Sequence, residues 1–138
     1  MATRGDNSTA ANATMPASDQ ELVLLVLQCI ERHIADTKLV QRITAQTGVE
    51  REKISHLMVQ SFGLSLEAMI IQERMRVAQR MLLESSASIA AIAQAVGYTS
   101  TSAFSTVFRK KLNMAPSEFR RTATLDSLIS AGGIVHWG

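Results

Sequence analysis

A chain of 138 residues is expected to form one compact domain with a real but modest core, and its formal net charge of +2 is too small to argue for a nucleic-acid partner by itself. The single cysteine, Cys29, excludes an internal disulfide and fits a reducing cytoplasm, while few aromatics and frequent Met predict an aliphatic core with Met filling gaps. The most apolar run, Leu22 to Ile30, is interrupted by Gln28 and closed by Glu31 and Arg32, too short to span a bilayer, and Met1 to Gln20 lacks the apolar run of a secretory leader.

Residues 1–19 are Ala, Thr, Asn and Ser with little apolar content, and read as a disordered leader or linker. From Asp19 or Gln20 to about Ala35, Leu22, Leu25, Val26, Ile30 and Ile34 recur at helical spacing and mark a supporting amphipathic helix. Cys29 and His33 fall within it. With no second thiol and no oriented Asp, His or Asn beside it, Cys29 reads as structural. Thr37 is placed to cap a helix carrying Val40 and Ile43, which stops at Gly48; a further helix turns Ile54, Leu57 and Met58 inward. Gly63 closes that helix and Ser65 caps the next. Leu66 to Glu84 then runs unbroken, with Met69, Ile70, Val77, Ala78, Met81 and Leu82 as its apolar positions. At ~1.5 Å per residue it spans about 28 Å. Arg74, Arg76 and Arg80 are offset in the same segment by Glu67, Glu73 and Glu84, a mostly solvated or salt-bridged face.

The segment from Ser88 to Arg121 carries the densest signal. Ile89, Ile92, Ala93 and Val96 form the stripe of a short helix that breaks at Gly97, where a glycine allows a positive-φ turn. Thr99 or Ser100 caps a second helix whose apolar stripe is Phe104, Val107 and Phe108. On a helical wheel Ser102, Thr106, Arg109 and Lys110 lie opposite Phe104. The outer face is thus uncharged near the helix start and basic near its end. That suits a helix whose first residues touch base edges while later ones meet phosphates. Pro116, Ser117, Glu118 and Phe119 open a last short helix, Pro being well placed in a first turn. Between Tyr98 and Arg121, Arg109, Lys110, Lys111, Arg120 and Arg121 face Glu118 alone, a local excess of four positive charges.

The chain repeats itself. Val40, Ile43 and Gly48 align with Ile89, Ile92 and Gly97 at an offset of 49, and one extra residue in the later turn then pairs Ile54, Ser55, Leu57 and Met58 with Phe104, Ser105, Val107 and Phe108 at an offset of 50. The expectation is an all-α fold, two helix-turn-helix units joined by a long linker helix, about seven helices in all.

Ile89, Ile92, Ala93, Gly97, Tyr98, Ser100, Phe104, Ser105, Phe108, Arg109, Lys110, Pro116, Ser117, Phe119 and Arg120 resemble, at fixed spacing, the signature of the AraC/XylS family of bacterial transcription regulators. The resemblance covers roughly Thr37 to Arg121. It implies a DNA-binding domain over 20–121, with 122–138 left as a C-terminal tail, in which Leu125, Leu128 and Ile129 add a helical turn or two before Gly132 and Gly133. Ile134, Val135 and Trp137 in that tail are apolar enough to pack back on the domain or to meet a partner.

The expected DNA-binding residues are Arg51, Lys53, Ser55 and His56 in the first recognition helix, and Thr101, Ser102, Ser105, Thr106 and Arg109 in the second. Lys110, Lys111, Arg120 and Arg121 are candidates for phosphate contact. Family members often carry a basic residue directly after the inward-facing residue and Ser of each recognition helix; this chain has His56 and Thr106 there. Direct base readout is therefore expected to be modest, with a larger share of specificity from DNA shape. Glu52 also falls on the outward face of the first unit. The two heads are expected to contribute unequally, because Arg51 and Lys53 are cancelled by Glu50 and Glu52 whereas Arg109 to Lys111 is uniformly basic.

His33, His56 and His136 have no metal-ligand spacing, Gly132 and Gly133 lack the Lys and helix of a phosphate-cradling loop, and no catalytic Ser/His/Asp set is legible. A non-enzymatic protein without cofactor or metal is expected, cytoplasmic, free of membrane, binding double-stranded DNA with a monomer sufficient, and with RNA polymerase as a candidate further partner. The competing reading is a protein-interaction module of the same fold that binds or sequesters another regulator. Many family members join this domain to an effector-binding domain, and none fits within this chain; control by abundance or by a partner, or a longer parent protein, are the alternatives.

Overall fold

The computed structural model describes residues 18–132, all of whose regular elements are helical. Residues 1–17 of the expected leader, together with Gly133, Ile134, Val135, His136, Trp137 and Gly138 of the tail, lie outside the described residues, while Ser18 and Asp19, expected to belong to the leader, cap and open the first helix. Seven helices follow in order: α1 (Asp19–Arg32), α2 (Leu39–Thr47), α3 (Arg51–Phe62), α4 (Leu66–Glu84), α5 (Ile89–Ala95), α6 (Thr101–Leu112) and α7 (Pro116–Gly132). The chain divides into two compact units between Arg74 and Met75, within α4.

In the first unit, α1 begins where the Ser18 hydroxyl accepts a hydrogen bond from the Glu21 N–H at 3.1 Å. It buries Leu22, Val26, Cys29 and Ile30, one stripe of the helix, and ends at Arg32 rather than near Ala35. The expected Thr37 cap does not form. Lys38 holds the N-cap position of α2 without a side-chain cap bond, and Asp36 does the organising instead. Its carboxylate accepts from the Lys38 N–H at 2.8 Å and from Arg42 Nε at 2.7 Å. These two contacts, the backbone one first, hold the Asp36 carboxyl below the usual carboxylate range. The Asp36 carbonyl in turn accepts from Arg74 Nη2 at 2.7 Å, so Arg74 belongs to the frame of this unit.

The turn between α2 and α3 closes through Gly48 at φ 71° and through Thr47, the one buried polar residue among the described residues. Thr47 donates to the Ile43 carbonyl at 2.8 Å and accepts from the Val49 N–H at 3.2 Å, so both its capacities are used. Ile43, Ile54, Met58 and Leu66 are sealed from solvent beneath this turn. Burial pushes the Cys29 thiol up, against the weaker opposing effect of Arg42 and Arg32, and its S–H lies 3.3 Å from Gln46 Oε1. A protonated, buried thiol is a packing group.

The second unit repeats this plan with different core chemistry. Ser88 caps α5 and Ser100 caps α6, each hydroxyl accepting at 3.0 Å from a backbone N–H three residues on. Gly97 takes φ 94° in the turn between them. Asn113, at φ 63°, ends α6 where Gly63 ends α3, Asn being the non-glycine residue best suited to the left-handed region. Tyr98, Phe104, Phe108 and Phe119 form a continuous aromatic ladder with ring centroids 5.6–5.7 Å apart. At the same places in the repeat the first unit has Val49, Ile54, Met58 and Met69. The expected aliphatic core with Met holds for the first unit, while in the second Met75, Ala78, Leu82, Ile92, Ala93 and Val96 are joined by the buried rings of Phe104 and Phe108. α7 is longer than the sequence suggested, running unbroken past Arg121 to Gly132.

Candidate nucleic-acid interface

The outward faces of α3 and α6 match position for position. Over Arg51 to Gln60 and Thr101 to Lys110, each residue has the same degree of burial as its counterpart fifty residues on. Ile54 and Phe104, then Met58 and Phe108, point inward and are fully buried; Ser55 and Ser105 are half-buried at the shoulder; His56 and Thr106 are exposed. The helical period sends the same rungs inward in both units, so the same rungs are presented outward. On α3 this face offers Arg51, Glu52, Lys53, His56 and Val59, and on α6 it offers Thr101, Ser102, Thr106, Arg109, Lys110 and, one residue further on, Lys111, all exposed.

Several expected contact residues are put to use inside the fold. The Ser55 hydroxyl accepts from the Leu66 N–H at 3.0 Å, satisfying a donor at the start of α4, beside the Ser65 cap on Ala68 at 3.2 Å. Ser105 has no such option, since its counterpart of Leu66 is Pro116, which lacks an N–H. Thr106 donates its hydroxyl to the Ser102 carbonyl at 2.9 Å, which leaves its oxygen free to accept. Arg120 is half-buried: Nε donates to the Leu82 carbonyl at 3.1 Å and Nη2 to the Ser85 carbonyl at 3.1 Å, closing the C-terminal end of α4. A guanidinium so engaged is a helix cap, in contrast to exposed Arg121. Arg120→Ala should accordingly cost about 1.5–3 kcal/mol of stability, the range for hydrogen bonds from a charged donor, while leaving the salt dependence of any DNA binding unchanged. Chemical denaturation and a salt titration of the same variant separate the two effects.

The electrostatics of the two heads differ as their sequences do. In the first, Arg51 Nε lies 3.3 Å from Glu67 Oε2, and Arg51, Glu52, Ser55, His56, Val59 and Glu67 line a shallow recess of about 320 Å³. In the second, Arg109, Lys110 and Lys111 fill the last turn of α6, where cations also complement the helix dipole, with no acid among them. Glu118, the acid nearest in sequence, has its Oε1 3.4 Å from the Ala115 N–H at the start of α7. Among the described residues no three His, Cys, Asp or Glu side chains come together as a metal site. Among the described residues no single helix is long and apolar enough to cross a membrane.

Two helix-turn-helix units, each turning a matched, part-basic helix face outward, define a double helix-turn-helix domain of the kind found in transcription regulators. A family model described as a helix-turn-helix domain matches residues 43–122, and the chain belongs to this family, in its AraC-type form. It is 30% identical over 104 residues to a putative AraC-like transcription regulator of Streptomyces lividans, covering 75% of this chain and 34% of that protein. To the xylose operon regulatory protein of Escherichia coli K12 it is 28% identical over 98 residues, 71% of this chain and 25% of the relative. The chain therefore spans about a quarter to a third of the length of these relatives.

Among solved structures, the C-terminal domain of AraT, a response regulator from Geobacillus stearothermophilus, aligns with TM-score 0.70 at 29% identity, over 73% of this chain and 84% of that one. The DNA-binding domain of AdpA, a global transcriptional factor solved in complex with a target DNA, aligns with TM-score 0.66 at 25% identity, over 73% and 90%. The all-α, seven-helix double helix-turn-helix architecture is the fold of these relatives, and their family is one of transcription regulators, not of enzymes.

Proposed function

We propose that this chain binds duplex DNA sequence-specifically as the reading domain of a bacterial transcription regulator, with α3 and α6 entering adjacent major-groove segments. The observation that carries the reading is the position-for-position match between the outward faces of these two helices, with the basic charge gathered at the end of α6. The DNA-bound relative AdpA supports it. The two units share α4, a continuous helix of 19 residues.

Within this reading Arg51, Lys53, His56, Thr101, Ser102, Ser105 and Thr106 lie toward the bases, and Arg109, Lys110, Lys111 and Arg121 toward phosphates. Ser55 and Arg120 serve by placing α4. Residues 20–121 form the DNA-binding domain, and the described part of the tail continues α7. Contact with RNA polymerase belongs to the same reading, supported by 28% identity to the transcriptional activator RhaS of Escherichia coli, as does a cytoplasmic location.

Footprinting on sites selected from a random pool, at concentrations where the protein is monomeric, should protect two patches about one helical turn (~10 bp) apart in a site without palindromy. A single protected patch per monomer would exclude the two-headed geometry, and binding indifferent to salt would exclude phosphate contact altogether.

A further inference from the structure

Glu67, in the first turn of α4, lies outside every residue assigned above to DNA, yet its carboxylate reaches the reading face. Its Oε2 stands 3.3 Å from Nε of Arg51, the first residue of α3, and both side chains are about half exposed, at 44% and 56%. The pair borders the same recess as Glu52, His56 and Val59. An arginine at a helix N-terminus is opposed by the helix dipole, so a carboxylate beside it is stabilising locally.

The fold, however, does not require the pair. At the corresponding places of the repeat stand Thr101 and Ser117, both exposed and uncharged, and the second unit builds the same helix, turn and helix without an ion pair there.

We propose that Glu67 is a specificity-determining residue that withholds Arg51 from the phosphate backbone, a reading that rests on the DNA-binding function above. Sequence-independent affinity comes from cations that neutralise phosphates. With Glu67 in place, the guanidinium is already neutralised by protein, and the carboxylate repels a phosphate approaching it. The first head therefore adds little to binding on random DNA. On a cognate site, base contacts seat α3 regardless of this lost phosphate contact, so the penalty falls mainly on the wrong sequences. Specificity, being a difference of affinities, rises without any new contact to the right one.

The test uses the full chain and the residues the repeat itself supplies: Glu67→Ser, Arg51→Thr and the double variant, titrated against a random-sequence duplex and a selected site between about 50 and 200 mM salt. Glu67→Ser should bind the random duplex roughly two- to fivefold more tightly at low salt, the scale of one exposed ion pair. Its log-log salt slope should steepen by about 0.9, one phosphate's worth, and its ratio of selected to random affinity should fall. Arg51→Thr, which removes a side chain placed toward the bases, should weaken binding to the selected site, leave the salt slope on the random duplex almost unchanged, and abolish the gain there when added to Glu67→Ser. Circular dichroism confirms folding, and Glu67→Gln, which keeps the side chain's length, should repeat the result.

An unchanged slope in both Glu67 variants would overturn the proposal. So would a full-unit flattening by Arg51→Thr alone, since Arg51 would then already be on phosphate. A parent protein that binds no duplex at any salt would instead refute the DNA-binding reading itself.

Discussion

Phe108→Ala should lower the unfolding free energy by roughly 3–5 kcal/mol, the cost of emptying a fully buried aromatic site. The ring is 0% exposed and stands in the middle of the second unit's ladder, 5.7 Å from Phe104 and 5.6 Å from Phe119. Its loss removes two ring contacts as well as the burial of the ring, and the flanking rings belong to different helices, α6 and α7, that cannot both collapse into the gap. Domains of this size are commonly stable by about 5–15 kcal/mol, so the variant should melt markedly lower or fail to hold the second unit at all. Met58→Ala is the matched control, because Met58 is equally buried at the same rung of the first unit and a Met→Ala change costs about 2–5 kcal/mol. A Phe108→Ala protein with unchanged melting temperature would show that α6 turns a different face inward.

The second large effect is electrostatic. Replacing Arg109 and Lys110 together by Ala should flatten the log-log salt slope of DNA binding by up to about two units, since each phosphate contact contributes ~0.9 on B-DNA. Both residues are exposed on the last turn of α6, and with Lys111 they form a run free of acids. The loss should fall equally on all sequences, because phosphates carry no sequence information. Arg120→Ala is the informative comparison. It removes the same formal charge as either single change, but from a guanidinium already bonded to the Leu82 and Ser85 carbonyls. Equal flattening by Arg120→Ala would mean that this guanidinium leaves its helix cap to meet DNA. An unchanged slope in the Arg109 and Lys110 variant would move the phosphate contacts off α6.

The linear sequence by itself determined the elements and their repetition. Apolar residues at helical spacing, Ser65 and Ser100 at caps, and Gly48, Gly63 and Gly97 at left-handed turns are local signals, legible because a helix brings together residues three and four apart. The inward rungs Ile54, Met58, Phe104 and Phe108, and with them the two outward faces, follow from the same periodicity. The AraC-type resemblance was legible for the same reason, being a pattern of such local positions.

What only the tertiary structure decided is how the polar side chains at the edges of those faces are spent. Ser55 is taken up by the Leu66 N–H eleven residues on, Arg120 by carbonyls 38 and 35 residues back, and Arg74 by the Asp36 carbonyl 38 residues away. Arg51 is met by Glu67 from the next helix. Charge and spacing alone present Arg109 and Arg120 as equivalent cations. The folded chain separates them, because unsatisfied carbonyls at the end of α4 lie within reach of Arg120, while Arg109 remains exposed on the last turn of α6.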